Sequence, residues 1–305
     1  MTGSIDGVGS RRATLAGLGA VALWASLAAL TVLSGTVPPF QLTAMAFAGG
    51  TVVGLLYAWT SGQSLAALRR VPIGAWVLGL YGLFGYHVCY FFALRRAPAL
   101  EASLINYLWP LLIVVFSGLL PAALGGQRLR WQHIAGALIG FAGTALVLVQ
   151  GQARPDFSGA VSGYLFAIAA GLIWSSYSVA SRLYRDVPSV AVIGSCAGTA
   201  IGAGGLHLLL ESWVWPGGAT QWLAIAGLGL GPLGLAFYLW DRGMKHGNML
   251  RLGLASYATP LLSTLVLTGL GLGTLSPVLA VAALLVTLGA AIAGWTSSSS
   301  DNAGA

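Results

Sequence analysis

The stretch YFFALRRAPALEASLINYLWPLL, running from Tyr90 to Leu112, carries the pattern from which the fold is read. An aromatic, apolar run closes on Arg95-Arg96, turns through Ala97-Pro98, and resumes at Glu101 as a second apolar run that passes through Pro110. The same arrangement returns in WDRGMKHGNMLRLGLASYATPLL, from Trp240 to Leu262. Arg95-Arg96-Ala97 is echoed by Lys245-His246-Gly247, Tyr107-Leu108-Trp109-Pro110 by Tyr257-Ala258-Thr259-Pro260, and, farther out, Trp24-Ala25-Ser26 by Trp174-Ser175-Ser176, all at a constant spacing of 150 residues. One offset shared by three separated landmarks marks an internal duplication.

The surroundings of these stretches are hydrocarbon-like. Of 305 residues, 57% are hydrophobic and 7% charged, whereas a soluble domain covers its surface with about 25% charged residues. A soluble enzyme of any class is excluded on that ground. Mean hydropathy of +0.85, with 44 glycines and 11 tryptophans, fits membrane helices, which favour glycine and interfacial tryptophan. At roughly 20 apolar residues per span, ten segments qualify: Thr14–Leu33, Phe40–Thr60, Ile73–Leu94, Leu100–Leu120, Trp131–Val149, Ala160–Ser181, Val190–Leu210, Gln221–Trp240, Leu250–Leu270 and Pro277–Gly294. The expected fold is an all-α integral membrane protein with two five-helix halves, residues 1–150 and 156–305, joined at the helix-breaking Arg154-Pro155-Asp156. Five is odd, so the second half enters the membrane from the opposite side. Inverted repeats are the usual construction of secondary transporters, which open a midplane site alternately to each face.

Charge gives the orientation. With a cytoplasmic N-terminus the inside segments hold Arg11, Arg12, Arg69, Arg70, Arg128, Arg130, Arg182, Arg185, Arg242, Lys245 and Arg251, and the outside loops only Arg95, Arg96 and Arg154, as the positive-inside rule requires. Both ends are then cytoplasmic, in a multi-pass protein of a bacterial inner (plasma) membrane. The net charge of +7 belongs to this topology, since the basic residues sit in pairs at helix ends and form no patch for nucleic acid. Cys89 and Cys196 fall inside spans, where they pack as small hydrophobes. Spacings such as Gly136, Gly140 and Gly143, Gly227 and Gly231, or Gly269 and Gly273 read as seams that let helices approach closely.

Depth selects the candidate site. Tryptophan prefers the membrane–water interface, yet Trp24, Trp109 and Trp174 fall near the middle of their spans, where each indole N–H needs a partner or a polar cavity. Gap filling between helices is the plain alternative; Trp24 and Trp174, however, are repeat mates at the depth of a transporter's substrate, and Trp109 and Trp174 are expected to line the cavity. His87, with Tyr86 and Tyr90 beside it, is the histidine placed deepest in an early span. An ionisable group there is costly and points to function, the alternative being a neutral ring bonded to a neighbouring helix. Glu101 begins the fourth span just after Arg95 and Arg96; it is either a carboxylate held by the helix dipole and the arginines or a gate charge. Pro110 removes the hydrogen bond that would reach the carbonyl of Asn106, so that carbonyl, the Asn106 amide, Tyr107 and Trp109 could receive a polar head group, or the break could serve packing alone.

The stretch from Tyr90 to Leu112, its echo from Trp240 to Leu262, and Gly136 and Gly143 in the fifth span resemble the drug/metabolite transporter superfamily, in its ten-helix EamA-type branch. Within that branch His87, Trp109 and Trp174 are similar to the aromatic amino acid exporters. The resemblance implies export of small amphipathic metabolites, aromatic and other apolar amino acids first, by alternating access; the alternatives are an exporter of drugs or other metabolites, or a non-transport membrane protein such as a lipid-handling enzyme. No Gly-Lys-Ser/Thr follows any glycine pattern, no His, Cys or carboxylate pair has metal-ligand spacing, and no paired carboxylates lie within the spans. No cofactor, metal or enzymatic activity is therefore expected, and the partners are the amino acid and the bilayer, with a monomer as the working unit and a dimer as the alternative. The thin supply of titratable groups leaves proton exchange and uncoupled export both open.

Overall fold

The structure is a computed structural model that describes residues 3–60, 62–124, 126, 128–149 and 160–294. The joint at Arg154-Pro155-Asp156 lies outside the described residues. Everything regular among them is helical. Seven helices are long and apolar enough to cross a membrane: α1 (Gly9–Leu33), α2 (Pro39–Thr60), α3 (Ile73–Arg96), α5 (Trp131–Val149), α6 (Val161–Tyr184), α7 (Ser189–Leu210) and α8 (Ala219–His246). An eighth span, α9, is bent by 45° between Met249–Ser256 and Thr259–Gly269. Two shorter apolar elements, α4 (Ala99–Asn106 and Trp109–Ser117) and α10 (Pro277–Gly294), complete a ten-helix chain.

The duplication is written into the backbone as well as the side chains. A turn of π-helix interrupts α3 at Tyr81–Gly85 and α8 at Gly231–Leu235, again 150 residues apart. The breaks in α4 and α9 follow Asn106 and Ser256, with the same separation. Packing shows the pseudo-twofold relation directly. α1 packs on α8 and α3 on α6, two contacts that exchange when the halves are exchanged, while α2 packs on its own mate α7 and α5 on its mate α10. The bundle therefore has two ends that symmetry interchanges: the N face, where α1 begins, and the opposite face.

Helices dominate because hydrocarbon supplies no hydrogen-bond partner to a backbone, so each break must be repaired from within the protein. In α4 the chain tightens for one turn, with Leu108 N–H donating to the Ile105 carbonyl at 3.1 Å, and α-helical bonding resumes with Leu112 N–H to the Leu108 carbonyl at 3.0 Å. The carbonyl freed by Pro110, that of Asn106, faces Gly171 of α6, where an added Cβ would stand 3.4 Å from the oxygen.

The α5/α10 seam is built on backbone contact. A Cβ added to Gly289 would collide with the Gly136 carbonyl oxygen, and one added to Gly143 would meet the Ala282 carbonyl oxygen at 2.9 Å. The glycine spacing in α5 is thus a packing seam, whereas Gly269 meets nothing within 4 Å and takes no part in one. Gly289→Val should cost about 1–3 kcal/mol by overpacking, lowering the thermal midpoint in detergent, while Gly269→Val should leave it unchanged.

Candidate functional site

The pseudo-twofold axis passes between two pairs of repeat mates. Trp24 lies against Trp174 at 5.7 Å between ring centroids, and His87 against Phe237 at 6.3 Å. Trp109 and Trp240 close a tetrad with the first pair, and all six centroid separations among the four indoles fall between 5.0 and 6.3 Å. Edge-to-face contacts dominate, as expected from the ring quadrupole; Trp174 and Trp240 alone lie nearly parallel, at 21°.

Two of the indoles are held by hydrogen bonds. Trp24 donates its N–H to the Pro232 carbonyl at 3.0 Å, inside the π-turn of α8, and Trp240 donates to Ser178 Oγ at 3.0 Å. Among the described residues nothing accepts from the indole N–H of Trp109 or Trp174, so the wall holds two tryptophans fixed by the protein and two whose donors are available to a ligand.

His87 lies within α3 just past the other π-turn, and its Nδ1 is 2.7 Å from the Leu83 carbonyl oxygen. A carbonyl can only accept, so Nδ1 carries a proton, and in the neutral form of the ring Nε2 is left as an acceptor. Phe47 and Tyr86 pack edge-on against the imidazole at 5.0 and 5.1 Å. Tyr86 stacks on Tyr90 at 5.8 Å and leans on Trp174 at 5.4 Å. Asn106 Nδ2 donates to the Tyr86 hydroxyl at 3.2 Å, and among the described residues the buried Asn106 Oδ1 has no partner. Tyr90 OH and Ser103 Oγ lie 3.5 Å apart, and Tyr107, half-buried, follows Asn106 at the break in α4. Trp109, Trp174, His87, Tyr86, Tyr90, Asn106 and Tyr107 thus converge on one place: aromatic walls with neutral polar groups along the side toward the opposite face.

The charged candidates are arranged differently. Arg95 pairs with Glu211 and lies over the Phe40 ring at 5.3 Å, while Arg96 stacks on Phe92 and Phe166 at 4.6 and 5.2 Å. Glu101 is buried in the first turn of α4. Glu211, which sequence reasoning did not single out, also accepts from the backbone N–H groups of Phe40 and Gln41, which open α2, and lies 3.1 Å from His207 Nδ1. Trp240 and Phe237 were missed as well. Ending the eighth span at Trp240 places that residue in the interface, but α8 runs on to His246 and buries it. The signal was available in the 150-residue offset, which pairs Trp240 with Tyr90 and Phe237 with His87. Asp241, one residue beyond the expected end of that span, is likewise inside α8, buried and 2.9 Å from Lys245.

A family model described as "EamA-like transporter family" matches residues 11–149 and again 161–295. The chain belongs to this family. A relative from Ancylobacter novellus named "Aromatic amino acid exporter YddG" is 50% identical over 284 residues, covering 92% of this chain and 96% of that protein. A protein of the same name from Salmonella typhimurium is 28% identical over 270 residues, covering 84% and 87%. A crystal structure 48% identical in sequence superposes with a TM-score of 0.88, covering 94% of this chain and 98% of that one. This EamA-like chain is therefore a membrane transporter built on ten helices, and the tetrad lies on its pseudo-symmetry axis.

The unequal fixing of the indoles is measurable. Trp24→Phe strands the Pro232 carbonyl and should cost about 1–3 kcal/mol beyond the lost packing, whereas Trp174→Phe loses packing but strands no acceptor and should lower the thermal midpoint less.

Proposed function

We propose that this transporter exports aromatic and other apolar amino acids by alternating access around the tryptophan tetrad. The observation that carries the reading is the tetrad itself, four large rings on the axis bordered by neutral polar groups. Trp109 and Trp174 hold the side-chain ring, gaining about 0.5–1.5 kcal/mol per ring pair beyond burial. His87 and Tyr86 complete the wall. Tyr90, Asn106 and Tyr107 receive the head group, to which Asn106 Oδ1 offers an acceptor for the ammonium. With no formal charge among these residues, the site suits a zwitterion better than a free acid or amine, because an unpaired charge is expensive to desolvate. Arg95, Arg96 and Glu101 shape the mouth at the opposite face without touching the ring.

The names of the relatives from Ancylobacter novellus and Salmonella typhimurium support this substrate class. The halves act as units 1–150 and 156–305, the N face is cytoplasmic with both chain ends on that side, and the working unit is a monomer in the inner membrane.

Efflux of radiolabelled phenylalanine or tryptophan from proteoliposomes tests the reading. Trp109→Ala and Trp174→Ala should each lower the rate about tenfold or more, at wild-type monodispersity, the loss of one or two ring contacts and their burial. Trp59→Ala, at a tryptophan 80% exposed on the outer surface of α2, should change it little. Full-rate efflux by both central variants would remove the site assignment.

Orientation is tested separately. Single cysteines placed at Gln63 and in the C-terminal tail, in a cysteine-free background, should both react with an impermeant maleimide from the cytoplasmic side; labelling from opposite sides would break the topology.

A further inference from the structure

Inverted repeats turn burial into a record of conformation. Residues 150 apart occupy equivalent places at opposite ends of the bundle, so in a symmetric state each pair would be equally buried. They are not. Tyr86, Tyr90, Leu94, Ser103 and Tyr107, which face the opposite end, are half-buried, whereas their mates Ala236, Trp240, Met244, Gly253 and Tyr257, toward the N face, are buried. Around these five pairs the bundle is more open toward the opposite face and more closed toward the N face.

The N face is held by polar contacts. Arg182, at the end of α6, donates from Nε to the Leu124 carbonyl at 2.9 Å, from Nη1 to the Met244 carbonyl at 2.9 Å and from Nη2 to the Gly247 carbonyl at 3.0 Å. One guanidinium thus ties α6 to the C-terminus of α8, where the helix dipole favours a cation, and to the segment after α4. Beside it the buried Asp241–Lys245 pair of α8 reaches the start of α7: Ser189 Oγ donates to Asp241 at 2.6 Å, and Lys245 Nζ donates to the Val187 carbonyl at 3.0 Å. Against this layer lies a cavity of about 30 Å³ lined by Trp76, Tyr177, Ser181, Ser195, Asp241 and Lys245 among others, and Tyr177 packs on Trp174 at 5.5 Å.

The opposite face is held by a different device, in which Glu211 pairs with Arg95, accepts from the backbone N–H groups of Phe40 and Gln41 and lies against His207. The mates of Arg182, Asp241 and Ser189 are Val32, Phe91 and Pro39, and only Lys245 has a charged mate, Arg95, which is engaged with Glu211. We infer that Arg182 and the Asp241–Lys245 pair form a latch that closes the N face and sets the resting state of the transporter open to the opposite face, so that loading from the N face requires breaking it. At the opposite face the mates of Arg182, Asp241 and Ser189 are apolar, so that face cannot close with the same set of bonds. The latch is a gate, with no contact to the substrate ring, and its assignment rests on the transport reading given above.

The test uses full-length protein in inside-out and right-side-out vesicles, without substrate, with Cys89→Ser and Cys196→Ala. Ser195→Cys reports on the cavity that Asp241 and Lys245 line, and Ser103→Cys reports on the opposite side. With the latch intact, a charged methanethiosulfonate reagent should label Ser195→Cys slowly from the N face. Arg182→Met should raise that rate about tenfold, the effect of losing one or two net hydrogen bonds to a charged group, and should lower labelling of Ser103→Cys from the other face. If Arg182→Met is not monodisperse, the double variant Asp241→Leu/Lys245→Met decides, because a buried ion pair replaced by apolar residues of similar volume keeps its packing. Unchanged rates at both reporters, or fast labelling of Ser195→Cys with the latch intact, would overturn the assignment. Amino-acid flux plays no part in the readout, so a failure of the substrate assignment would leave this result standing.

Discussion

An indole in the middle of a hydrocarbon layer must give its N–H to something, and the bond from Trp24 to the Pro232 carbonyl is the interaction on which the rest of the centre depends. A regular helix has no carbonyl to spare, since each is taken by the amide four residues on. The π-turn at Gly231–Leu235 loosens that ladder and leaves the Pro232 carbonyl open to a donor from another helix. The freed oxygen fixes Trp24, and the other three indoles arrange themselves about it. The equivalent turn in α3 does the same service for His87, which bonds to the Leu83 carbonyl from the following turn. Two interruptions that would be defects in a soluble helix here create the acceptors that hold an aromatic site together.

Fixing the site so firmly on one pair of helices limits how the rest can move. α1 is bonded to α8, and its backbone passes close to α8 again where a Cβ on Gly17 would stand 3.3 Å from the Gly243 Cα. α2 meets α8 through Gly49 and Gly229, where an added Cβ would stand 2.9 Å from the facing Cα. Contacts of this kind let helices slide or tilt with little side-chain interlock, whereas the charged groups at the two ends bind specific partners. The molecule thus combines smooth seams along its length with discrete polar attachments at its ends, the combination that allows two well-defined states instead of a continuum.

Much of this was legible in the sequence, for identifiable reasons. Span number and inversion follow from hydropathy and the 150-residue offset, because membrane thickness dictates helix length and repeats preserve spacing. Trp24 and Trp174 could be singled out as mates, and Trp109, His87 and Asn106 by depth and by the proline beside them. Partners were another matter. Arg95 was set beside Glu101, its sequence neighbour, while its carboxylate comes from Glu211, 116 residues away at the end of α7. Trp240 was hidden by a span ended six residues early: Asp241, Lys245 and His246 read as the start of a water-facing segment, although the first two neutralise each other inside the protein. Local hydropathy records each residue's own solvation and is blind to the counter-charge that makes burial tolerable.

Four indoles with centroids 5.0 to 6.3 Å apart are also four coupled chromophores. Transition dipoles at such separations mix, and the fixed, chiral arrangement gives the tetrad a near-ultraviolet circular dichroism signature distinct from that of the exposed tryptophans such as Trp59, Trp131 and Trp215. A cargo ring that inserts among them changes the distances and angles on which the mixing depends. On the function proposed above, the tetrad is thus an optical reporter of occupancy that requires no dye.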